Sequence, residues 1–160
     1  MSDKLMKAGV LHAKKDLRYE DIEKPEINSG DVLVKVKYTG ICGSDLPRVH
    51  GDASRYFPNV LGHEFSGIVE DVAPDVTTVK PGDKVVGVPL MPCMECEDCL
   101  AGDFSLCKFY SFVGSRRFGS FAEYIVLPVT NVVVIHPDID LRVGAFFEPA
   151  TISLHGLERL

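Results

Sequence analysis

A mainly β fold with short helices and one cysteine-rich lobe is the architecture the sequence predicts, and three observations predict it. Val32, Val34, Val36 and Tyr38 alternate with Lys35 and Lys37, which is the period of a strand with one face buried. The other apolar stretches are short, rich in β-branched or aromatic residues, and bounded by glycine and proline. Apolar residues at helical spacing gather only near the end, at Ala150, Leu154, Leu157 and Leu160.

In chain order, Met1 to Asp3 reads as a frayed start. Lys4 to Ala13 carries enough apolar and β-branched character for a first strand, and the acidic stretch Tyr19 to Ile27, interrupted by Pro25, reads as an edge strand running into a connection. Asn28-Ser29-Gly30-Asp31 is a turn, and the clear strand at 32–38 follows it. Between Thr39 and Leu61, Gly40, Gly43, Pro47, Gly51 and Pro58 break the pattern into loop, with at most a short helix near Ser44 to Val49. A loop of that length inside a domain usually serves function. Ser66 to Val72 and Lys84 to Val88 resume as strands around the turn at Pro81-Gly82-Asp83. Pro92 to Lys108 is the cysteine lobe, and Phe121 to Leu127 and Asn131 to Ile135 are two further strands split by Pro128. Asp140 can cap a short helix through Phe147. A second helix starts after Glu148-Pro149, with proline suited to its first turn, and it has no stop signal before Leu160.

A chain of 160 residues, 46% hydrophobic and 25% charged, is expected to form one domain with its own core and no need of disulfides. The net charge of -6 argues against nucleic-acid partners. No apolar run approaches the roughly 20 residues of a membrane span, and the first residues lack the succession of a signal peptide. A cytoplasmic protein without membrane partners is the expectation.

Five cysteines without a secretory signal make a poor disulfide framework. Cys93, Cys96 and Cys99 stand three residues apart, and Cys107 follows after a short interval. Four thiolates satisfy a tetrahedral zinc ion and leave no site for substrate, so this set reads as a structural metal site. The spacing does not distinguish zinc from an iron–sulfur cluster. A thioredoxin-like redox pair fits less well, because it needs one C-x-x-C ahead of a helix in a βαβ unit. Cys42 stands apart, in Gly40-Ile41-Cys42-Gly43-Ser44-Asp45. A lone cysteine is more often a small buried hydrophobe than a ligand, and an isolated loop histidine such as His63 is more often structural. Taken together, however, Cys42, His63-Glu64 and Glu148 offer sulfur, nitrogen and oxygen donors suited to a zinc ion with one open position.

Gly62-His63-Glu64, Gly67, Ala73 and Val76 fall at the spacing of the zinc-containing alcohol dehydrogenase signature. With Cys42-Gly43-Ser44-Asp45, the four-cysteine lobe and Phe121-Ala122-Glu123-Tyr124, the chain resembles the medium-chain dehydrogenase/reductase superfamily over nearly its whole length. Glu148 in Phe147-Glu148-Pro149, where alcohol dehydrogenases proper usually carry a third cysteine ligand, makes it similar to the polyol dehydrogenases. Asp45-Leu46-Pro47-Arg48 and Val113-Gly114-Ser115-Arg116-Arg117 look like the dehydrogenases of galactitol 1-phosphate.

The resemblance implies a GroES-like, partly open β-barrel over residues 1–147, with 148–160 leading toward a nucleotide-binding domain. It implies a catalytic zinc held by Cys42, His63 and Glu148, directly or through water, with Glu64 as an exchanging ligand. Asp45 would orient the histidine, and Ser44 would accept the hydroxyl proton. Many relatives place a histidine where this chain has Pro47, so the relay must take another route, for which His50 qualifies only if a turn brings it near. The implied reaction is reversible oxidation of a secondary alcohol of a polyol or polyol phosphate to a ketone, with hydride transfer to NAD or NADP. Arg116 and Arg117 are candidates for a substrate phosphate, with a solvated charged turn as the plainer alternative. The full-length enzyme is expected to be a homo-oligomer.

A Rossmann domain would show a strand and Gly-x-Gly-x-x-Gly opening a helix, and these residues contain no such segment, so cofactor contacts are expected beyond Leu160. The 160 residues alone are expected to bind zinc without turning over alcohol. The competing expectation is a stand-alone zinc-binding structural or assembly module, which leaves Cys42, His63 and Glu148 unexplained as a set.

Overall fold

In a computed structural model that describes residues 4–54 and 56–159, the alternating stretches form antiparallel sheets. In chain order the strands are β1 (Leu5–Ala13), β2 (Asp16–Glu23), β3 (Asp31–Thr39), β4 (Asn59–Val60), β5 (Phe65–Val72), β6 (Lys84–Gly87), β7 (Leu90–Met91), β8 (Ser111–Phe112), β9 (Tyr124–Pro128) and β10 (Val132–Val134). The helices are α1 (Asp45–His50), α2 (Glu97–Leu100), α3 (Leu141–Gly144) and α4 (Phe147–Leu157). The expected frayed start at Met1 to Asp3 and the last helical position, Leu160, lie outside the described residues.

Strands β1 and β2 form a hairpin whose turn places Lys15 at φ 64°, and β4 pairs on the other side of β1, so β2 is an edge strand as its acidic composition suggests. The larger sheet has the order β10-β6-β5-β3-β9, with β3 paired to both β5 and β9. Backbone bonds from Gly9 N–H to the Phe121 carbonyl (2.8 Å) and from Val36 N–H to the Glu123 carbonyl (2.9 Å) tie the two sheets through the segment leading into β9. The result is a mainly β, GroES-like arrangement of open sheets rather than a closed barrel. Val32, Val34, Phe65, Val69, Val85, Ile125 and Leu127 fill its core.

Two local expectations are corrected. Tyr38 was expected on the face of Val32, Val34 and Val36, but it is 45% exposed. Val36 pairs with Gly67 and Tyr38 with Ser66, so Lys37 is an extra, bulged residue, and beyond it the inward and outward positions exchange. At the end of the chain, the helix capped by Asp140 stops at Gly144, and α4 starts at Phe147. Glu148 and Pro149 therefore lie inside the first turn of α4 rather than ahead of it, a position proline tolerates because the first-turn N–H groups have no intrahelical acceptor. Helix α3 sits on the sheet, where the Ser66 hydroxyl donates to the Leu141 carbonyl and Gly144 lies close against Ile135 and Ser66. Helix α4 has no buried residue among those described, and Ile152, Leu154 and Leu157 face outward. No described helix is long and apolar enough to cross a membrane.

Candidate metal centres

Two glycine-dependent crossings bring Cys42 and His63 together. At Gly40 a Cβ would run into the Glu64 carboxylate, and the Gly40 N–H donates to the Glu64 carbonyl at 2.7 Å, so the loop carrying Cys42 is pinned to the segment carrying His63. Gly62 adopts φ +91°, and its carbonyl accepts from Ser120 N–H at 3.0 Å while Phe121 N–H reaches the Leu61 carbonyl at 2.9 Å. A side chain at position 62 would meet the Phe121 ring and the Ser120 hydroxyl.

Donor atoms of Cys42, His63 and Glu64 lie within 4.8 Å of one another. Behind them, His63 Nδ1 and Asp45 Oδ1 are buried and each lacks a hydrogen-bond partner among the described residues. They face each other at 3.9 Å, and the other Asp45 oxygen accepts from Cys42 N–H at 3.0 Å. Two orphaned polar atoms aimed at each other are costly unless they close into a bond. An Nδ1–H···Oδ1 bond would fix the tautomer and leave Nε2 bare toward the donor set, which is how a metal-binding histidine is held. Burial pushes the Asp45 carboxyl above the usual carboxylate range, against the pull of His63, the Cys42 amide and Arg48. The Phe112 ring meets His63 edge-on at 5.6 Å and limits its rotation. These residues fit a zinc ion.

Glu148 stands outside that compact donor set. It is close enough to feel it: burial raises its carboxyl pKa, His63 opposes that rise and Glu64 adds to it. Ser44 occupies the N-cap of α1, yet its hydroxyl makes no cap bond. Instead it accepts from Arg48 Nη1 at 2.6 Å, while the Ser44 N–H points at Cys42 Sγ from 3.5 Å. A residue type strongly favoured for capping has been diverted to another partner. Arg48 was not singled out as a functional side chain in the sequence, although its spacing four residues after Ser44 on a short helix was the signal that would have found it. His50 is exposed at the far end of α1.

The four-cysteine lobe is clasped at its base by β7 and β8, through the pairs Leu90 with Phe112 and Met91 with Ser111. All four sulfurs lie within 4.8 Å of one another, and all are free thiols. The Cys93 and Cys99 sulfurs are 3.9 Å apart, too far for a disulfide and close to the edge of a tetrahedron with metal–sulfur bonds of about 2.3 Å. Amide N–H groups of Cys93 and Cys96 point at the sulfurs of Cys107 (3.3 Å) and Cys93 (3.4 Å), an arrangement that favours thiolates. Backbone hydrogen bonding at Cys99 holds the Cys96 thiol down to about 7, while burial pushes Cys99 up to about 12. The donor set and its geometry fit zinc.

Arg116 and Arg117 separate. Arg116 lies over the Tyr110 ring at 3.9 Å and donates to the Tyr110 carbonyl at 2.7 Å. Arg117 reaches Met91 Sδ and the Val126 carbonyl, both at 3.4 Å, and borders a different cavity.

A β domain that presents one mixed cysteine–histidine–carboxylate cluster and one four-thiol cluster belongs to the class of metal-binding domains with a separate structural site. Residues 28–137 match the alcohol dehydrogenase GroES-like domain, and the chain belongs to that family, within the zinc-containing medium-chain dehydrogenases. It is 49% identical over 132 residues to galactitol 1-phosphate 5-dehydrogenase of Escherichia coli K12, covering 82% of this chain and 38% of that protein. The crystal structure of the E. coli galactitol-1-phosphate dehydrogenase superposes with a TM-score of 0.91 at 45% identity, over 94% of this chain and 44% of that one. A cobalt- and zinc-bound alcohol dehydrogenase from Pyrobaculum aerophilum superposes with a TM-score of 0.81 at 32% identity, over 90% and 45%. A short chain alcohol dehydrogenase from E. coli CFT073 complexed with NADH gives 0.89 at 32%, over 94% and 44%. The chain spans less than half the length of these relatives.

Proposed function

We infer that the chain is the catalytic β domain of a zinc-dependent oxidoreductase that oxidises a secondary alcohol of a polyol or polyol phosphate to a ketone, with hydride passing to NAD or NADP. The observation that carries this is the convergence of Cys42, His63 and Glu64 in front of the orphaned Asp45–His63 pair. The galactitol 1-phosphate, alcohol and NADH names of the relatives support the substrate and cofactor classes.

Cys42 and His63 would hold the catalytic zinc, with Glu148 completing the set directly or through water and Glu64 exchanging with it. When bound, such an ion supplies Lewis-acid polarisation of an alcohol oxygen. The missing side chain at Gly40 leaves the Glu64 carboxylate the space it occupies beside the site. Ser44 takes the hydroxyl proton as it gives up its own to water, so it stays neutral, and Arg48, which already donates to its oxygen, holds the hydroxyl in place for that exchange. Because a guanidinium has no acceptor, the proton leaves by water rather than through Arg48, and Pro47 offers no alternative. Cys93, Cys96, Cys99 and Cys107 would hold the structural zinc.

The catalytic domain is residues 1–147, and 148–160 lead toward a nucleotide-binding domain. Among the described residues, the exposed apolar side of α4 and an apolar cavity of about 600 Å³ bordered by Val86, Val88, Phe147, Glu148 and Ile152 form a surface such a domain would cover. The enzyme is cytoplasmic and homo-oligomeric, and takes a small-molecule substrate.

Zinc stoichiometry tests the reading. Two ions per chain are expected, with Cys42→Ala losing one while the fold and the lobe metal remain. A single ion lost only with the lobe cysteines refutes the catalytic site and favours a purely structural module. NAD-dependent oxidation of polyols is expected once the nucleotide-binding domain is present and not from the 160 residues alone.

A further inference from the structure

Beside the candidate catalytic centre lies a polar pocket of about 220 Å³ lined by Arg48, Ala53, Ser54, Tyr56, Ser115 and Arg116. Its two guanidinium groups come from distant parts of the chain, α1 and the loop after β8. Each is already immobilised through one nitrogen. Arg48 Nη1 donates to the Ser44 carbonyl at 3.0 Å and to its hydroxyl, and the side chain is only 19% exposed. Arg116 is held flat on Tyr110 and through Nη1 to the Tyr110 carbonyl. Among the described residues, Nε and Nη2 of both have no recorded hydrogen bond, so two rigid forks retain donors for a ligand in the pocket they share. Ser54, Tyr56 and Ser115 add neutral residues to the wall. Among the described residues, no carboxylate lines it. Asp45 lies 3.7 Å from Arg48 on the side of the metal donors, and nearby Asp52 is paired with Lys14 at 2.8 Å.

We propose that this pocket binds the phosphomonoester group of the substrate, with Arg48 and Arg116 as its two cationic walls. A dianion with three terminal oxygens needs several converging donors, and planar guanidinium forks meet that need better than point charges. Location supports the same ligand. Arg48 touches Ser44, and Ser44 N–H touches Cys42 Sγ, so the pocket is joined to the metal donors through two successive contacts. Arg117, turned toward Met91 and Val126, takes no part. The assignment of a polyol phosphate rests on the reading of Cys42, His63 and Glu64 as an alcohol-oxidising centre.

The test uses the 160-residue chain with cobalt(II) in the mixed site, titrated with galactitol 1-phosphate, galactitol, inorganic phosphate and NADP. Arginine side-chain NMR signals report the pocket, and the cobalt spectrum reports the metal. Galactitol 1-phosphate is expected to shift both Arg48 and Arg116 signals, inorganic phosphate to compete with it, and galactitol to bind about tenfold more weakly or worse. Arg116→Gln, at an exposed position, should keep the fold and lower affinity for galactitol 1-phosphate by about tenfold while leaving galactitol unchanged. Unchanged affinity in Arg116→Gln overturns the proposal, as does NADP shifting these arginines when galactitol 1-phosphate does not. An unmoved cobalt spectrum alongside shifted arginine signals supports the pocket and overturns only the reading of the metal centre.

Discussion

Replacing Asp45 by asparagine should separate metal affinity from fold stability. Asp45 is 2% exposed, one oxygen holds the Cys42 amide, and the other faces His63 Nδ1. Asparagine keeps the shape and can keep the bond to Cys42, but it then presents its NH₂ to Nδ1. That amide is a donor, so Nδ1 must accept and the proton moves to Nε2, the nitrogen needed by the metal. Removing the charge-assisted hydrogen bond that Asp45 and His63 Nδ1 would close behind a bound metal, about 1.5–3 kcal/mol, corresponds to a fall in zinc affinity of about 10–100-fold at the mixed site. The metal-free protein should not lose stability, because burial already disfavours the charged carboxylate. Competition against a chromophoric chelator measures the affinity for the second zinc equivalent, and urea unfolding of the metal-free chain measures stability. Unchanged affinity, or a loss of metal-free stability as large as the loss of affinity, would refute the proposed role of the Asp45–His63 pair.

Cys99→Ser should release the lobe metal and abolish amide protection across residues 93–108 while β3 and β5 stay protected, readable by hydrogen exchange; protection lost throughout the sheet would show that the lobe is not an independent unit. Gly62→Ala forces a side chain onto φ +91° and into Phe121 and Ser120, so a fall in stability of about 2 kcal/mol or more and a weakened mixed site are expected from thermal unfolding and metal titration. Phe65→Ala removes a ring that is 1% exposed and lies against Gly87, and should cost about 3–5 kcal/mol in urea unfolding. Asp75, Asp83 and Asp140 are held below the usual carboxylate range by hydrogen bonds from Ser29, Lys80 and Arg142 respectively. Their depressed folded-state pKa values contribute stability that is full above the unfolded pKa of about 3.9 and is lost as pH falls through the folded values. Metal-free protein should therefore weaken below about pH 4, and a triple asparagine variant should show a shallower decline in its urea midpoints.

Strand positions were legible where one physical signal dominated. The alternation at 32–36 and the β-branched runs at 66–72 and 84–88 correspond to β3, β5 and β6 because burial of one face imposes the period. The departure at Tyr38 has a different origin. A bulge adds one residue to β3 without changing its composition, and only the pairing with Gly67 and Ser66 shows that Lys37 is unpaired. The one-residue bridge between Ala8 and Ala122 and the two-residue strand β4 were equally silent, since pieces that short carry no period. The break between α3 and α4 follows from packing: Gly144 approaches Ile135 and Ser66 closely at the end of α3, after which the chain turns to start α4 at Phe147.

The site divides along the same line. The lobe cysteines were legible because a tetrahedral thiolate set demands close spacing in sequence as well as in space, and the structure brings all four sulfurs within 4.8 Å. Cys42 and His63 carry no such local constraint; what joins them is the space left by Gly40 and the crossing at Gly62, and glycine in a loop does not announce what it makes room for. Adjacency in sequence did not become adjacency of side chains at Arg116-Arg117. Neighbouring residues in an extended loop point in different directions, so Arg117 went inward to Met91 while Arg116 stayed at the surface beside Arg48. The pair proposed for phosphate, Arg48 with Arg116, is one the fold assembles across the pocket. A substitution at 117 should accordingly affect packing around Met91, whereas one at 48 or 116 should affect phosphate recognition, and comparing Arg117→Gln with Arg116→Gln in the same titration separates the two effects.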